Sequence, residues 1–236
     1  MVGEYNKKRV FAWSMYDFAN QPFSTLIITF IYDTFFTKVI AENEIIGTTL
    51  WSRAMTITAI TVAFLSPIMG AVADKGGYRK LFLMFWTYIC IIGSFALYFP
   101  LPGEVFKALF WVVIANIGFE MGGVFCNAYL PDIAPKDKIG RVSGYGWSFG
   151  YVGGLAALTL SLILFVQPEI PAFGVSKVNG EHIRVTNILV SIWFLIFSIP
   201  VFAWIKSDDR KQISNKNLWE ESFGQLMNTF RNIRKY

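Results

Sequence analysis

Six apolar runs, each long enough to cross a lipid bilayer as a helix, constrain this chain more than anything else in its sequence. They cover about Phe11 to Val39, Trp51 to Ala73, Leu81 to Leu101, Val105 to Tyr129, Val142 to Val166 and Val185 to Ile205. Each is near or above the roughly 20 residues that span the hydrocarbon core. The third, fifth and sixth carry no charge. Lipid offers no partner to a free backbone N–H or C=O, so all six must be helical. Composition agrees. Only 16% of the 236 residues are charged and 54% are hydrophobic, whereas a soluble domain carries about 25% charge. The expected fold is an all-α integral membrane bundle of six transmembrane helices. The first run is aromatic, is broken by polar residues and has no small-residue cleavage site behind it. It reads as a mature helix and not as a signal peptide.

The basic residues orient the bundle. Lys7, Lys8 and Arg9 precede the first run, Lys75, Arg79 and Lys80 follow the second, and Lys136, Lys138 and Arg141 follow the fourth; with seven more after Ile205, 16 of 21 fall on one side. Such asymmetry puts both termini in the cytoplasm, with the plasma (inner) membrane as the default location. The net charge of +5 alternates with apolar spans and is no nucleic-acid signal. Cys90 and Cys126 stand alone in apolar runs, and His182 is the sole histidine. Neither a disulfide framework nor a metal-ligand spacing results. Nothing offers a nucleophile–base pair, so the chain does not read as an enzyme, and no cofactor or metal is expected.

Between the second and third runs lies Gly70-Ala-Val-Ala-Asp74-Lys75-Gly76-Gly77-Tyr78-Arg79-Lys80, a tight turn joining antiparallel neighbours. Lys75, Arg79 and Lys80 suit the negative end of the incoming helix and Asp74 does not. Asp74 therefore reads either as half of a latch to an Arg or a helix N-terminus, or as part of a solvated turn. Gly70, Asp74, Lys75, Gly77 and Arg79 fall on the slots of a loop that resembles the one between helices two and three of the major facilitator superfamily, with Tyr78 where a basic residue is usual.

Polar residues inside the spans are the candidates for chemistry. In the first helix, Asp17, Gln21 and Ser24 share a face with Asn20 beside it, and Pro22 frees the carbonyl of Phe18 and predicts a kink. Asn20 and Gln21 read either as lining a polar path or as groups that re-satisfy the kinked backbone. A charge deep in the bilayer costs at least about 2.5–3.5 kcal/mol, so Asp17 should face the protein or water. In the fourth helix, Asn116, Glu120, Gly123 and Asn127 follow at i, i+4, i+7 and i+11, a single polar stripe. Glu120 at its middle is a candidate proton carrier, or a protonated structural acid bonded to a neighbour. Gly146, Gly150 and Gly154 give the fifth helix a flat seam for close packing. Arg53 is expected to snorkel to the outer headgroups, with a substrate path as the alternative, and His182 to lie at the surface. The third helix is expected only to pack or to face lipid. Beyond Ile205, Trp219, Phe223, Leu226, Phe230 and Ile233 repeat at helical spacing with basic neighbours, an amphipathic helix for the inner membrane surface or for a partner.

Tyr16 to Asn20, Asn127 to Pro131 and Gly140 to Gly154 together resemble the vacuole-effluxer-like branch of the superfamily, the autophagy-related amino-acid effluxers and their bacterial relatives, sometimes called the unidentified major facilitator family. Pro22 stands where small residues are more usual. The resemblance implies two six-helix halves rocking about a substrate at the midplane. Residues 1–205 then form the N-terminal half and 206–236 the start of the central cytoplasmic loop, with the seventh helix expected soon after Tyr236. The expected function is secondary transport of small polar solutes, amino acids by resemblance. Glu120 and Asp17 are the proton-coupling candidates. Asn20, Gln21, Asn116 and Asn127 line the path, and the Gly70–Arg79 turn gates it. The expected partners are the bilayer, the solute and a C-terminal six-helix half, in the same reading frame or on a second chain. A scaffold or sensor on the same fold is the alternative.

Overall fold

A computed structural model describes residues 6–205, apart from the side chains of Asp74 and Lys75. The amphipathic helix expected beyond Ile205 lies outside the described residues. Six helices are long and apolar enough to cross a membrane. They are α1 (Lys7–Ile40), α2 (Glu44–Gly76), α3 (Arg79–Ala96), α4 (Val105–Asn127), α5 (Ile139–Ser161, continued by a wide turn over Leu162–Val166) and α6 (Glu181–Phe197, followed by Ile199–Trp204).

Local chemistry sets the ends. Asn6 caps α1, its side-chain oxygen accepting from the N–H groups of Lys8 and Arg9 at 3.0 and 3.4 Å. Asn43 caps α2 by accepting from Ile46 N–H at 2.9 Å, which starts that helix at Glu44, earlier than the apolar run alone implied. Its far end is the expected turn. Gly77 takes the left-handed conformation at φ 68°, and Tyr78 N–H returns to Ala73 O at 3.1 Å, a glycine-terminated close. The loop before α6 carries the helix start to Glu181, ahead of the expected Val185.

At Pro22, where a kink was expected, the structure shows a change of helix type and a partner the local sequence does not reveal. Beyond Pro22 the helix widens into a π-helix over Phe23–Phe30. The carbonyl of Phe18, which has no N–H to meet at position 22, accepts from the indole Nε1–H of Trp193 on α6 at 3.0 Å. The two rings also stack, with centroids 5.2 Å apart. A bond that α1 cannot make within itself is thus made between helices.

The core lies where α1, α3, α4 and α6 meet. Tyr16, Phe23, Phe125, Phe194 and Met121 are fully buried there. Tyr16 Oη and Thr87 Oγ1 share a hydrogen bond of 2.9 Å, and Trp13 Nε1–H donates to Cys126 O at 2.9 Å. The third helix is a packing element, and small residues let it approach α4. A Cβ on Gly118 would lie 2.6 Å from Cys90 N, and one on Gly93 would lie 2.8 Å from Ala115 Cβ. Such contacts replace the hydrophobic drive that lipid cannot supply. By contrast α2 is barely covered, with 11% of its apolar window buried against 33–50% in the other five.

Candidate functional site

Polar residues of α1, α4 and α5 meet around one cavity. Asp17 and Gln21 are one turn apart on α1, with Asn20 between them; Gly123 and Asn127 are one turn apart on α4; Ser143, Trp147, Gly150 and Tyr151 share a face of α5. The two helices α1 and α5 approach closely because α5 presents glycines. A Cβ on Gly153 would collide with the carbonyl oxygen of Phe18, and one on Gly146 with the carboxylate of Asp17 and the ring of Trp13. Gly150 leaves ordinary contact space beside Asp17 at 3.5 Å, and a Cβ on Gly154 would press on Gln21 at 3.2 Å and more closely on Thr25. The result is a cavity of about 410 Å³. Trp13 and Phe119 form its apolar wall, and Trp147 and Tyr151, ring centroids 5.8 Å apart, stand at its rim.

Asp17 is half-buried there, and Asn20 is buried. Among the described residues no hydrogen bond or ion pair engages the side chains of Asp17, Asn20, Gln21, Asn127 or Ser143. Among the described residues no lysine, arginine or histidine lines the cavity.

The stripe on α4 does not act as one surface. Gly123 and Asn127 line the cavity with Asp17, whereas Asn116 and Glu120 line a second cavity of about 490 Å³ with Ser24, Met55 and Thr58, bounded by α1, α2 and α4. Between the two, Phe23 of α1 stacks on Phe119 of α4 with ring centroids 5.1 Å apart. Glu120 is exposed to this second space. Asn116 is buried and directs its Nδ2–H to Met55 Sδ at 3.5 Å.

At the turn, Gly70 is open to added volume, with nothing within 4 Å of a Cβ there, and Gly77 closes the helix. Arg79 is buried, and its guanidinium pairs with Asp132 at 2.9 Å. The latch expected of Asp74 lies outside the described residues, as does the side chain of Lys75. Asp132 is the partner that sequence reasoning missed. The signal was an acid one residue after Pro131, in a loop on the same side as Arg79.

The opposite end holds a second network that the sequence reading passed over. Arg184, counted there as an outer-loop charge, is buried and donates to Tyr98 O at 2.7 Å, and Asn187 donates to Leu97 O at 3.2 Å. Both meet carbonyls at the C-terminal end of α3, which a cation and an amide suit. Tyr98 Oη donates to Glu181 at 2.9 Å, and that acceptor holds its phenol above the usual range. His182 is half-buried in the same first turn of α6, and so deeper than the surface position expected. Arg53 is exposed, and it lines a shallow space on α2 with Glu44, Ser52 and Thr56.

Comparison with known proteins places this architecture. An MFS-type transporter of Bacillus subtilis named YxiO, itself described as uncharacterised, is 28% identical over 233 residues, covering 95% of this chain and 53% of that protein. Autophagy-related protein 22 of Yarrowia lipolytica is 21% identical over 214 residues, covering 66% of this chain and 35% of that one. The structure of the major facilitator proton:xylose symporter XylE superposes with a TM-score of 0.62 at 15% identity, covering 94% of this chain and 49% of that chain. The fold is therefore that of one six-helix half of a major facilitator protein. The chain spans about half the length of the bacterial relatives it matches, 53% of one and 49% of another. The profile of the family described as vacuole effluxer Atg22 like matches residues 48–236, and this multi-pass membrane chain belongs to that Atg22-like branch of the major facilitator superfamily.

Proposed function

We propose that the chain forms the N-terminal half of a secondary transporter that moves small polar solutes, amino acids foremost, by alternating access. The observation that carries this reading is the cavity on α1, α4 and α5. It is lined by polar side chains that have no partner among the described residues, within an apolar bundle. In a two-half transporter the solute binds between the halves at this level. A second six-helix half closes the cavity. The Gly70–Arg79 turn, with its Arg79–Asp132 pair, holds the cytoplasmic side, where both termini lie. Asn20, Gln21 and Asn127 line the path, and Asn116 borders it behind the Phe23–Phe119 pair. Glu120 and Asp17 are the acids available for proton coupling, and Glu120, outside the solute cavity, is the better placed to carry a proton without competing for solute.

The test uses the native protein isolated from source membranes and reconstituted in proteoliposomes, with labelled amino acids and an imposed proton gradient. Gradient-driven flux is expected, and Glu120→Gln should abolish it while leaving the folded protein intact. Undiminished gradient-driven flux in the Gln variant would overturn the coupling role. Absence of flux for every solute tried would overturn transport and leave the scaffold reading.

A further inference from the structure

We infer that the α1–α4–α5 cavity is an ammonium-binding site, with Asp17 as its counter-charge. This deepens the transport reading and rests on it, by naming the part of the solute that this half recognises.

The argument starts from charge. Asp17 is half-buried and has no ion-pair or hydrogen-bond partner among the described residues, and no basic side chain lines the space before it. A carboxylate withdrawn from water either takes up a proton or is held ionised by a compensating charge or donors. An alkylammonium group supplies both, as a point charge with up to three N–H donors.

The rest of the lining fits the same group. Asn20, Gln21, Asn127 and Ser143 bring side-chain oxygens that accept hydrogen bonds, and none is engaged elsewhere among the described residues. An ammonium with one N–H on Asp17 has two more to place, and these oxygens lie on the adjoining turns of α1 and on the facing helices. The aromatic rings complete the match. Trp147 and Tyr151 at the rim and Phe119 on the wall offer π faces, which attract cations and not anions.

The same inventory disfavours other classes at this half of the cavity. An anionic solute would meet a carboxylate and no cation. A neutral sugar brings hydroxyls but no charge to pair with Asp17. A zwitterion can place its ammonium here, and its carboxylate must then be met by groups outside this cavity.

The probes are three molecules of one skeleton: alaninamide (cationic), lactamide (neutral, with hydroxyl in place of ammonium) and lactate (anionic). Binding to the native protein in lipid nanodiscs is read by calorimetry, and flux of the same labelled compounds by proteoliposomes. Alaninamide should bind at least roughly tenfold more tightly than lactamide, the scale of a charge-assisted hydrogen bond, and lactate should not bind. Asp17→Asn, nearly isosteric, should reduce alaninamide to the lactamide level. The comparison of probes on the unaltered protein stands even where that variant fails to fold.

Equal binding of alaninamide and lactamide would overturn the site. So would a preference for lactate, which would mean that a base elsewhere in the protein already neutralises Asp17. An ammonium preference that survives Asp17→Asn, or binding of none of the three, would overturn it as well. These failures leave transport standing if any of the compounds crosses the liposome membrane. Conversely, ammonium-selective binding without flux would support the site and sink the transport reading.

Discussion

Arg79 shows how much a single charge can hold at a membrane surface. Its side chain is 10% exposed while that of its partner Asp132 is 44% exposed, so the two ends of the pair are not equivalent. Removing the buried end strips a packed, hydrogen-bonded guanidinium from the start of α3. Removing the half-exposed end lets water take the place of the carboxylate. Arg79→Ala is therefore expected to destabilise the purified protein by about 1.5–3 kcal/mol, the range for a hydrogen bond to a charged group, and Asp132→Asn by less. Thermal unfolding in detergent measures both, and an equal or larger loss for Asp132→Asn would contradict the asymmetry. Little of this pair was legible in the sequence. The basic turn around Arg79 announces itself by spacing, but its acid lies 53 positions away, and only the fold brings the two loops together. Asp17 was legible because any acid in an apolar span must be accounted for. The division of the α4 stripe was not, since it depends on Phe119 meeting a ring from another helix.

At the scale of elements, glycine placement on α5 decides how α1 sits. Gly153 lies against the Phe18 carbonyl with no room for a methyl, whereas Gly144 on the same helix has nothing within 4 Å of an added Cβ. Gly153→Ala is expected to cost about 1–3 kcal/mol through overpacking. Gly144→Ala should be neutral or stabilise by up to about 1 kcal/mol through helix propensity. Thermal midpoints of the two variants check the contrast, and similar midpoints would mean that α5 can shift without penalty. The periodic glycines at 146, 150 and 154 were visible in the sequence as a seam. Gly153, with the closest backbone approach, sits off that four-residue repeat and was not. Helix existence was read correctly from length and hydropathy. Boundaries moved where caps acted, with Asn43 extending α2 outward and the loop before α6 bringing in Glu181, His182 and Arg184.

At the scale of the whole molecule, the described residues form a bundle of six long helices. Among the described residues its least covered helix is α2, and its polar cavity is lined by α1, α4 and α5. The distribution of lysine and arginine makes a topological prediction that needs no substrate. Asp137 and Lys177 are both exposed, and the native Cys90 and Cys126 are buried, so single cysteines can be read cleanly. A membrane-impermeant maleimide applied to intact cells should label Lys177→Cys and spare Asp137→Cys until the membrane is opened. The reverse pattern would invert the orientation proposed here. One contact also bears on how such sequences change over time. With Pro22 in place, the indole of Trp193 is the donor that the Phe18 carbonyl needs; with any other residue at 22, the helix would supply its own N–H and that need would vanish. Positions 22 and 193 are thus expected to change together. Among relatives, the tryptophan should be free to drift wherever the proline has been lost.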